Sequence, residues 1–260
     1  GPKIHRTSVF IGKHERNRRQ IYDRYQERVG STSDLEAWPV LGRDDRWLRF
    51  SAMKALERQP FEYWQDKVLD DDNPLRCGTG LIALCRVGVP EHQPHVFYAL
   101  QRFDLTKLPL KQQLIMLRAY QLCFIRLGKP SDEQTKFAIA AISPLFPSKH
   151  RSINHMAGEL LVYLKMPGII ESSIPLLNEV STQYQQLRIA RMLMHVQEGW
   201  TDNSKAAFLN WLLRSRAMIG GHQLRERLTN IREDFYEILT DGDKSTHAEL
   251  IEKIDQPIES

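Results

Sequence analysis

Histidines are the residues of this sequence best suited to metal chemistry, and four of them form two close pairs. His92 and His95 flank Pro94, and His150 is followed by His155. A zinc site needs further histidine, cysteine or carboxylate ligands at regular spacing, and neither pair has such neighbours in the sequence. We therefore expect surface or helix-capping histidines, and no metal or other cofactor bound by this chain.

Two further motifs are better explained by structure than by chemistry. The run Asp70, Asp71 and Asp72 lacks the alternating ligands of a calcium loop, so a loop followed by a helix cap accounts for it. The segment CGTGLIAL, residues 77–84, has two glycines but no phosphate-binding or nucleophile motif. Glycines inside a helical pattern favour close packing between helices.

One pattern of an aspartate followed by an arginine occurs twice, 27 residues apart, and is the strongest candidate for a repeated structural motif. Asp45 is followed by Arg49, and Asp72 by Arg76; each arginine follows a leucine and precedes small and apolar residues. We interpret the aspartates as caps at the starts of helices. The arginines would then reach acidic groups of the neighbouring repeat and form a ladder of charge-assisted hydrogen bonds. Repetition is typical of such a structural ladder, whereas an active site occurs once.

The elements that must position these residues are helices, because helical spacing of apolar residues recurs along the chain and strand alternation does not. The helices follow one another in pairs. The predicted pairs are 35–41 with 45–58, 61–69 with 74–86, 93–103 with 110–127, 132–145 with 151–165, and 169–180 with 183–197. Three first helices contain a proline between apolar residues, at Pro39, Pro144 and Pro175, which predicts a recurring kink.

These patterns predict an all-α fold, an α–α superhelix of the HEAT or armadillo-like solenoid type with irregular repeats. We expect a basic arm or linker over residues 1–33, about five HEAT-like helix pairs over residues 34–200, and capping helices of the same domain over residues 201–256. In such an array the second helices line an extended concave face, which we expect to be the docking surface.

Positive charge is concentrated in the arm. Residues 1–33 carry eight lysines and arginines against three acidic residues, while the remaining chain has a net charge of −1. Such an arm can contact nucleic acid, but packing on an acidic neighbouring domain explains it better. Arg18 and Arg19 are the candidate interdomain contacts. Protein domains are therefore the expected partners, and the nearly neutral body disfavours nucleic acid.

The sequence leaves the cellular compartment open. Cys77, Cys85 and Cys123 fall in apolar patterns and are interpreted as small buried hydrophobic residues. Cys77 and Cys85 would stand ~12 Å apart on one helix, too far for a disulfide. No apolar run spans a bilayer, so no membrane is expected. The opening Gly1-Pro2 is typical of a cleaved tag, so we expect a segment of a longer protein.

From Trp38 onward the sequence resembles the HEAT-repeat segment of large bacterial secreted proteins. These join a β-propeller, similar to sugar or sorbosone dehydrogenases, to a C-terminal c-type haem domain. The matching stretches, over roughly residues 36–234, are AWPVLGRDDRWLRFSAMKALE, LCFIRLGKP, LFP, SINHMAGELLVYLKMPGIIE, QEGWT and IGGHQLRERLTNIRED. The resemblance implies an extracytoplasmic, periplasmic or secreted parent that could be an oxidoreductase. The haem motif C-x-x-C-H is absent here, so no haem or quinone ligand is carried over.

The function expected of this chain is therefore a non-catalytic scaffold or protein-interaction module within a larger redox-type protein. The alternative is a HEAT-like nucleic-acid-binding protein or DNA glycosylase, in which tryptophans stack on bases beside an acidic residue. Five tryptophans are available for that role: Trp38, Trp47, Trp64, Trp200 and Trp211. Trp211 shares an apolar stripe with Phe208 and Leu212, which favours core packing instead.

Overall fold

The computed structural model describes residues 37–179 and 182–257, and every regular element in these ranges is a helix. The predicted all-α class is thus confirmed, while the repeat character of the helix pairs stays a prediction. The described residues divide into two compact units, one up to residue 131 and the other from residue 132 onward. We call them unit 1 and unit 2 and describe each by itself.

Unit 1 is organised around one buried helix, α3. The α-helices of its described part are α1 Arg46–Glu57, α2 Gln65–Leu69, α3 Pro74–Val87, α4 Gln93–Gln101 and α5 Leu110–Leu122. Short 3-10 helices at Trp38–Gly42, Phe61–Tyr63, Pro90–His92 and Leu105–Lys107 connect them, and a π-helix, Cys123–Leu127, continues α5. Helix α3 packs on α1, α2 and α5, and its residues from Cys77 to Cys85 are all buried.

Close contact between α3 and α5 depends on a glycine. A Cβ atom placed on Gly78 would lie 2.7 Å from Cγ2 of Ile115 and 3.2 Å from Sδ of Met116, distances that only a missing side chain allows. The close helix packing predicted for the CGTGLIAL segment is therefore confirmed.

Unit 2 contains the remaining helices of the described chain. They are α6 Asp132–Ile142, α7 Arg151–Tyr163, α8 Ile169–Ser173, α9 Leu176–Glu179, α10 Gln183–Leu193, α11 Asp202–Ser215, α12 His222–Ile238, α13 Asp241–Thr246 and α14 Ala248–Asp255, with a 3-10 turn at Ser143–Leu145. Helices α7 and α10 pack closely because Gly158 leaves room for Met192, whose Sδ would lie 2.7 Å from an added Cβ.

An aromatic cluster fills the core below α11 and α12. Trp200 makes edge-to-face contacts with Phe208 and Phe235 at centroid distances of 5.5 and 5.0 Å, and Trp211 packs on Phe208 at 5.3 Å. Trp211 is 1 % exposed, and its indole nitrogen donates to Gln186 Oε1 at 3.0 Å. Core packing of Trp211 is thus confirmed.

Two of the three marked prolines lie where a helix ends. Pro144 lies in the 3-10 turn that follows α6, and Pro175 lies in the gap between α8 and α9, whereas Pro39 lies in the first turn of the 3-10 helix before α1. A proline lacks the amide donor and clashes with the preceding turn, so Pro144 and Pro175 end helices rather than bending them. Among the described residues, no helix combines the length and apolar character needed to cross a membrane.

Candidate functional site

The repeated Asp–Arg pattern does not form the predicted ladder. Arg49 is buried, and its Nη1 donates to the backbone carbonyls of Arg43 and Asp44 at 2.6 and 2.9 Å. Burial lowers the pKa of Arg49, which nearby Asp44 partly offsets. Arg49 therefore fixes the loop before its own helix. Among the described residues it forms no ion pair with an acidic group of a neighbouring repeat, so the predicted ladder contact is wrong for Arg49.

Arg76 also pairs locally. Its guanidinium forms a two-pronged pair with Asp71, in which Nε contacts Oδ2 and Nη2 lies 3.0 Å from Oδ1. The Asp71 side chain is only 3 % exposed and also accepts from the Asn73 amide at 2.8 Å. The hydrogen bond to Asp71 raises the pKa of Arg76. The pair holds the loop that leads into α3, so the ladder prediction is wrong for Arg76 as well.

The predicted N-cap residue is correct for α1 and wrong by one residue for α3. Asp45 occupies the N-cap of α1, where its side chain accepts from the amides of residues 47 and 48. The N-cap of α3 is Asn73 and not Asp72, which is 95 % exposed at its side chain. The prediction for Asp72 is wrong because the residue before Pro74 is held in an extended conformation, which is the backbone geometry of an N-cap.

The two histidines of the first pair differ in burial. His92 is buried; its Nδ1 accepts from the Val89 amide at 3.0 Å, and its Nε2 lies 2.8 Å from Gln65 Oε1. His95 is exposed. The part of the chain that the structure describes contains no group of three or more histidine, cysteine or acidic side chains that could hold a metal ion. Arg18 and Arg19 lie outside the described residues.

Unit 2 carries a groove between α7, α10 and α12, which we call the basic groove. It has two adjoining lobes of about 660 and 530 Å³ that share Glu159, Tyr184, Arg188 and Met192. Five cationic side chains line it: Lys149, Arg151, Arg188, Arg191 and Arg227. Glu159 is the one carboxylate among the described lining residues. The groove therefore has a marked excess of positive charge.

Helical spacing puts these side chains on common faces. On α10, Tyr184, Arg188 and Arg191 stand at i, i+4 and i+7, which align on one side of a helix. On α7, His155 and Glu159 stand at i and i+4 and face α10. The sequence places each set locally, and the packing of α7 on α10 brings them together.

The floor of the groove is apolar and its rim is aromatic. Met192, Ile189 and Ile231 line it and are buried. Tyr163 and Tyr184 remain 47 % and 59 % exposed at the edge. A ligand that fits this groove needs apolar groups for the floor and negative charge for the walls.

A small polar network lies where the lobes meet. Nη2 of Arg188 lies 2.7 Å from His155 Nδ1 and 3.3 Å from Glu159 Oε1, and its Nη1 donates to the Tyr184 hydroxyl at 3.0 Å. His155 Nδ1 lies 3.0 Å from Glu159 Oε1. Burial lowers the pKa of His155, and Arg188 adds to this effect while Glu159 opposes it. The lowered pKa favours the uncharged form of His155, in which Glu159 is the charged partner of Arg188.

The other cations of the groove differ in how they are balanced. Arg191 pairs with Asp234 at 2.5 Å. Lys149, Arg151 and Arg227 have no carboxylate within ion-pair distance among the described residues. These three positive charges remain available to an anionic ligand.

The arrangement suits binding of an anion, because five cationic side chains line the groove and Glu159 is the one carboxylate among its described lining residues. None of the five tryptophans lines the groove, and Trp211 lies in the core of unit 2. Base stacking by a tryptophan, which the glycosylase alternative requires, is therefore not provided in this groove.

Comparison with known protein families, with curated proteins and with solved structures finds no match to this chain. The geometry of the groove is therefore the evidence for its function. Sequence reasoning missed its cationic residues, although the spacing of Tyr184, Arg188 and Arg191 gave a local signal. The structure also places the Glu159 carboxylate in both lobes of the groove, paired with Arg188.

Proposed function

We propose that this chain is a non-catalytic protein-interaction module whose basic groove binds an acidic, amphipathic segment of a partner protein. The observation that carries the proposal is the combination of five cationic side chains with an apolar floor on helices α7, α10 and α12. The groove lies on α7 and α10, two of the second helices expected to form a docking surface.

A protein segment matches the groove better than a nucleic acid does. An amphipathic helix can lay its apolar face on Met192, Ile189 and Ile231 while acidic side chains meet the cations of the walls. A phosphate backbone would use the cations but leave the apolar floor without a complement. The exposed rings of Tyr163 and Tyr184 supply contact area at low conformational cost, as is common at protein interfaces.

The sequence resemblance extends the proposal to the parent protein. We propose that the module lies in an extracytoplasmic redox-type protein and that the acidic segment belongs to one of its neighbouring domains or to a separate partner. Under this proposal any redox chemistry belongs to the other domains of the parent.

Binding of a synthetic peptide tests the proposal. The probe is a fluorescein-labelled helical peptide of about 15 residues with leucines on one face and glutamates on the other, followed by fluorescence anisotropy. Arg227→Gln removes an unpaired cation of the groove and should weaken binding by roughly 3- to 10-fold, the scale of one charge contact near a surface. Arg225→Gln is the matched control because Arg225 is exposed on the same helix but does not line the groove.

Two outcomes would contradict the proposal. Equal losses in the Arg227 and Arg225 variants would show that the peptide does not use the groove, as would equal binding of a scrambled peptide with the same charge. Tighter binding of duplex DNA than of the peptide, with a steep salt dependence, would instead support the nucleic-acid alternative.

A further inference from the structure

His155 lines the smaller lobe of the basic groove, between a carboxylate and a guanidinium. Its Nδ1 lies 3.0 Å from Oε1 of Glu159, one turn further along α7, and its Nε2 contacts Nη2 of Arg188 on α10. The His155 side chain is 33 % exposed and lines the lobe, so solvent reaches it. The ring therefore connects the carboxylate of the groove to one of its cations.

These two contacts decide which ring nitrogen carries the hydrogen in the neutral form. A carboxylate only accepts hydrogen bonds, so the bond to Glu159 needs a hydrogen on Nδ1. A guanidinium only donates, so the contact with Arg188 needs a bare Nε2 that accepts. Neutral His155 with its hydrogen on Nδ1 meets both requirements. In this form it packs between Glu159 and Arg188, whose charged atoms lie 3.3 Å apart.

Protonation of His155 breaks this arrangement on one side only. The added hydrogen goes to Nε2, which loses the lone pair that accepted from Arg188, and two positive groups then face each other. The bond from Nδ1 to Glu159 is kept and gains charge assistance. Glu159 is then balanced by its neighbour on the same helix, and Arg188 is free to bind another anion.

The charged and titratable side chains that share the smaller lobe with His155 come from two helices and one loop. They are Lys149 from the loop before α7, Arg151 and Glu159 from α7, and Tyr184 and Arg188 from α10. Helices α6 and α8 also pack on α7, but no charged side chain of theirs is among the described residues that line this lobe. Glu159 favours the protonated ring, and the three cations oppose it.

We propose that His155 is a pH switch for the basic groove: its protonation releases Arg188 to an anionic ligand, so the groove binds an acidic segment more tightly as the pH falls. This inference rests on the proposed binding function. Burial lowers the pKa of His155 from the ordinary 6.5, and Arg188 adds to this effect while Glu159 opposes it, so the free protein switches below pH 6.5. A ligand anion that pairs with Arg188 removes part of this opposition, so binding and proton uptake favour each other.

The ring nitrogens of His155 test the switch without a ligand. Long-range 1H–15N correlation spectra of the full, 15N-labelled chain are recorded from about pH 8 to about pH 5, and the His155 signals are identified by their absence in His155→Gln. We expect the neutral ring to carry its hydrogen on Nδ1 and Nε2 to gain a hydrogen with a midpoint below 6.5. A neutral ring with its hydrogen on Nε2 would overturn the proposal, whatever the peptide does.

Peptide affinity at two pH values tests the consequence for binding. The labelled acidic peptide is titrated by anisotropy at about pH 8 and about pH 5.5, where its glutamates stay mostly ionised because their ordinary pKa is about 4.3. The unsubstituted chain should bind roughly 3- to 10-fold more tightly at the lower pH, the scale of one charge near a surface. His155→Gln should gain less than about 2-fold, whereas His222→Gln, which removes an exposed histidine outside the groove, should keep the full gain.

The opposing results separate this inference from the function on which it rests. Equal affinity of the unsubstituted chain at both pH values would overturn the switch and leave the binding function standing. A gain that persists in His155→Gln would also overturn the switch, because it would assign the titration to another group, such as His195 in the larger lobe. Absence of peptide binding at both pH values would overturn the proposed function and, with it, the control of binding by pH.

Discussion

Replacing Glu159 by glutamine should tighten binding of the acidic peptide, which is the sharpest consequence of the proposed groove chemistry. Glu159 is the only carboxylate among the described residues that line the groove, and its Oε1 lies 3.3 Å from Arg188 Nη2. Glutamine keeps the shape of the side chain and removes its charge. Arg188 is then released for the ligand, and one repulsive charge is lost.

The size of the effect follows from Coulomb's law. A peptide carboxylate on Arg188 would lie about 6 Å from the removed charge, and an effective dielectric constant of about 40 to 80 suits a groove this open. The repulsion that is removed is then about 0.7 to 1.4 kcal/mol, which corresponds to roughly 3- to 10-fold tighter binding. Loss of the partly exposed Glu159–Arg188 pair should cost less than about 1 kcal/mol of stability.

The measurement is peptide anisotropy at about 0.05 and 0.5 M salt, since screening should reduce the gain at the higher concentration. Glu171→Gln is the matched control because it changes the net charge by the same amount. Glu171 is exposed on α8 and does not line the groove. Weaker binding of the Glu159 variant, or an equal gain in the Glu171 variant, would refute the assignment of the groove as the peptide site.

Three further predictions concern stability. Asp71→Asn should lower the free energy of unfolding by about 2 kcal/mol in urea denaturation, because it breaks a buried charge-assisted pair; Asp72→Asn, in an exposed neighbour, should change it by less than about 0.5 kcal/mol. Gly78→Ala should cost about 1 to 3 kcal/mol in the same assay, since the new Cβ meets an α5 side chain at 2.7 Å, and an unchanged midpoint would contradict this packing. Asp243 accepts hydrogen bonds from Lys205 and from the hydroxyl and amide of Thr240, and these lower its pKa from 3.8 to about 2. The contribution of Asp243 to the free energy of unfolding is therefore present above pH 3.8 and is lost as the pH falls toward 2. Asp243→Asn should flatten the dependence of the free energy of unfolding on pH in this range.

Much of the helical framework could be predicted because its signals are local. Prolines inside helical patterns are such signals, although Pro144 and Pro175 end helices where a kink was predicted. Asp45 as a helix cap follows from its position just before an apolar periodic stretch. The same local reasoning failed by one residue at α3, where Pro74 makes Asn73 the cap and leaves Asp72 in solvent.

The ladder prediction failed for a different reason. Equal spacing of Asp45 with Arg49 and of Asp72 with Arg76 gave the appearance of equivalent positions, but the two arginines lie at different distances from their helix caps. Each arginine therefore points at a different local partner, a pair of carbonyls for Arg49 and Asp71 for Arg76. A repeat in the sequence is a repeat in structure only when the helix registers agree.

The sequence alone determined that the described chain is helical and that glycines mark close helix contacts. Only the tertiary structure decided that α7 with the loop before it, α10 and α12 bring five cations around an apolar floor. Helix periodicity specifies which face of each helix is apolar. It does not specify which helix covers that face, because that choice depends on side-chain packing between segments distant in the chain.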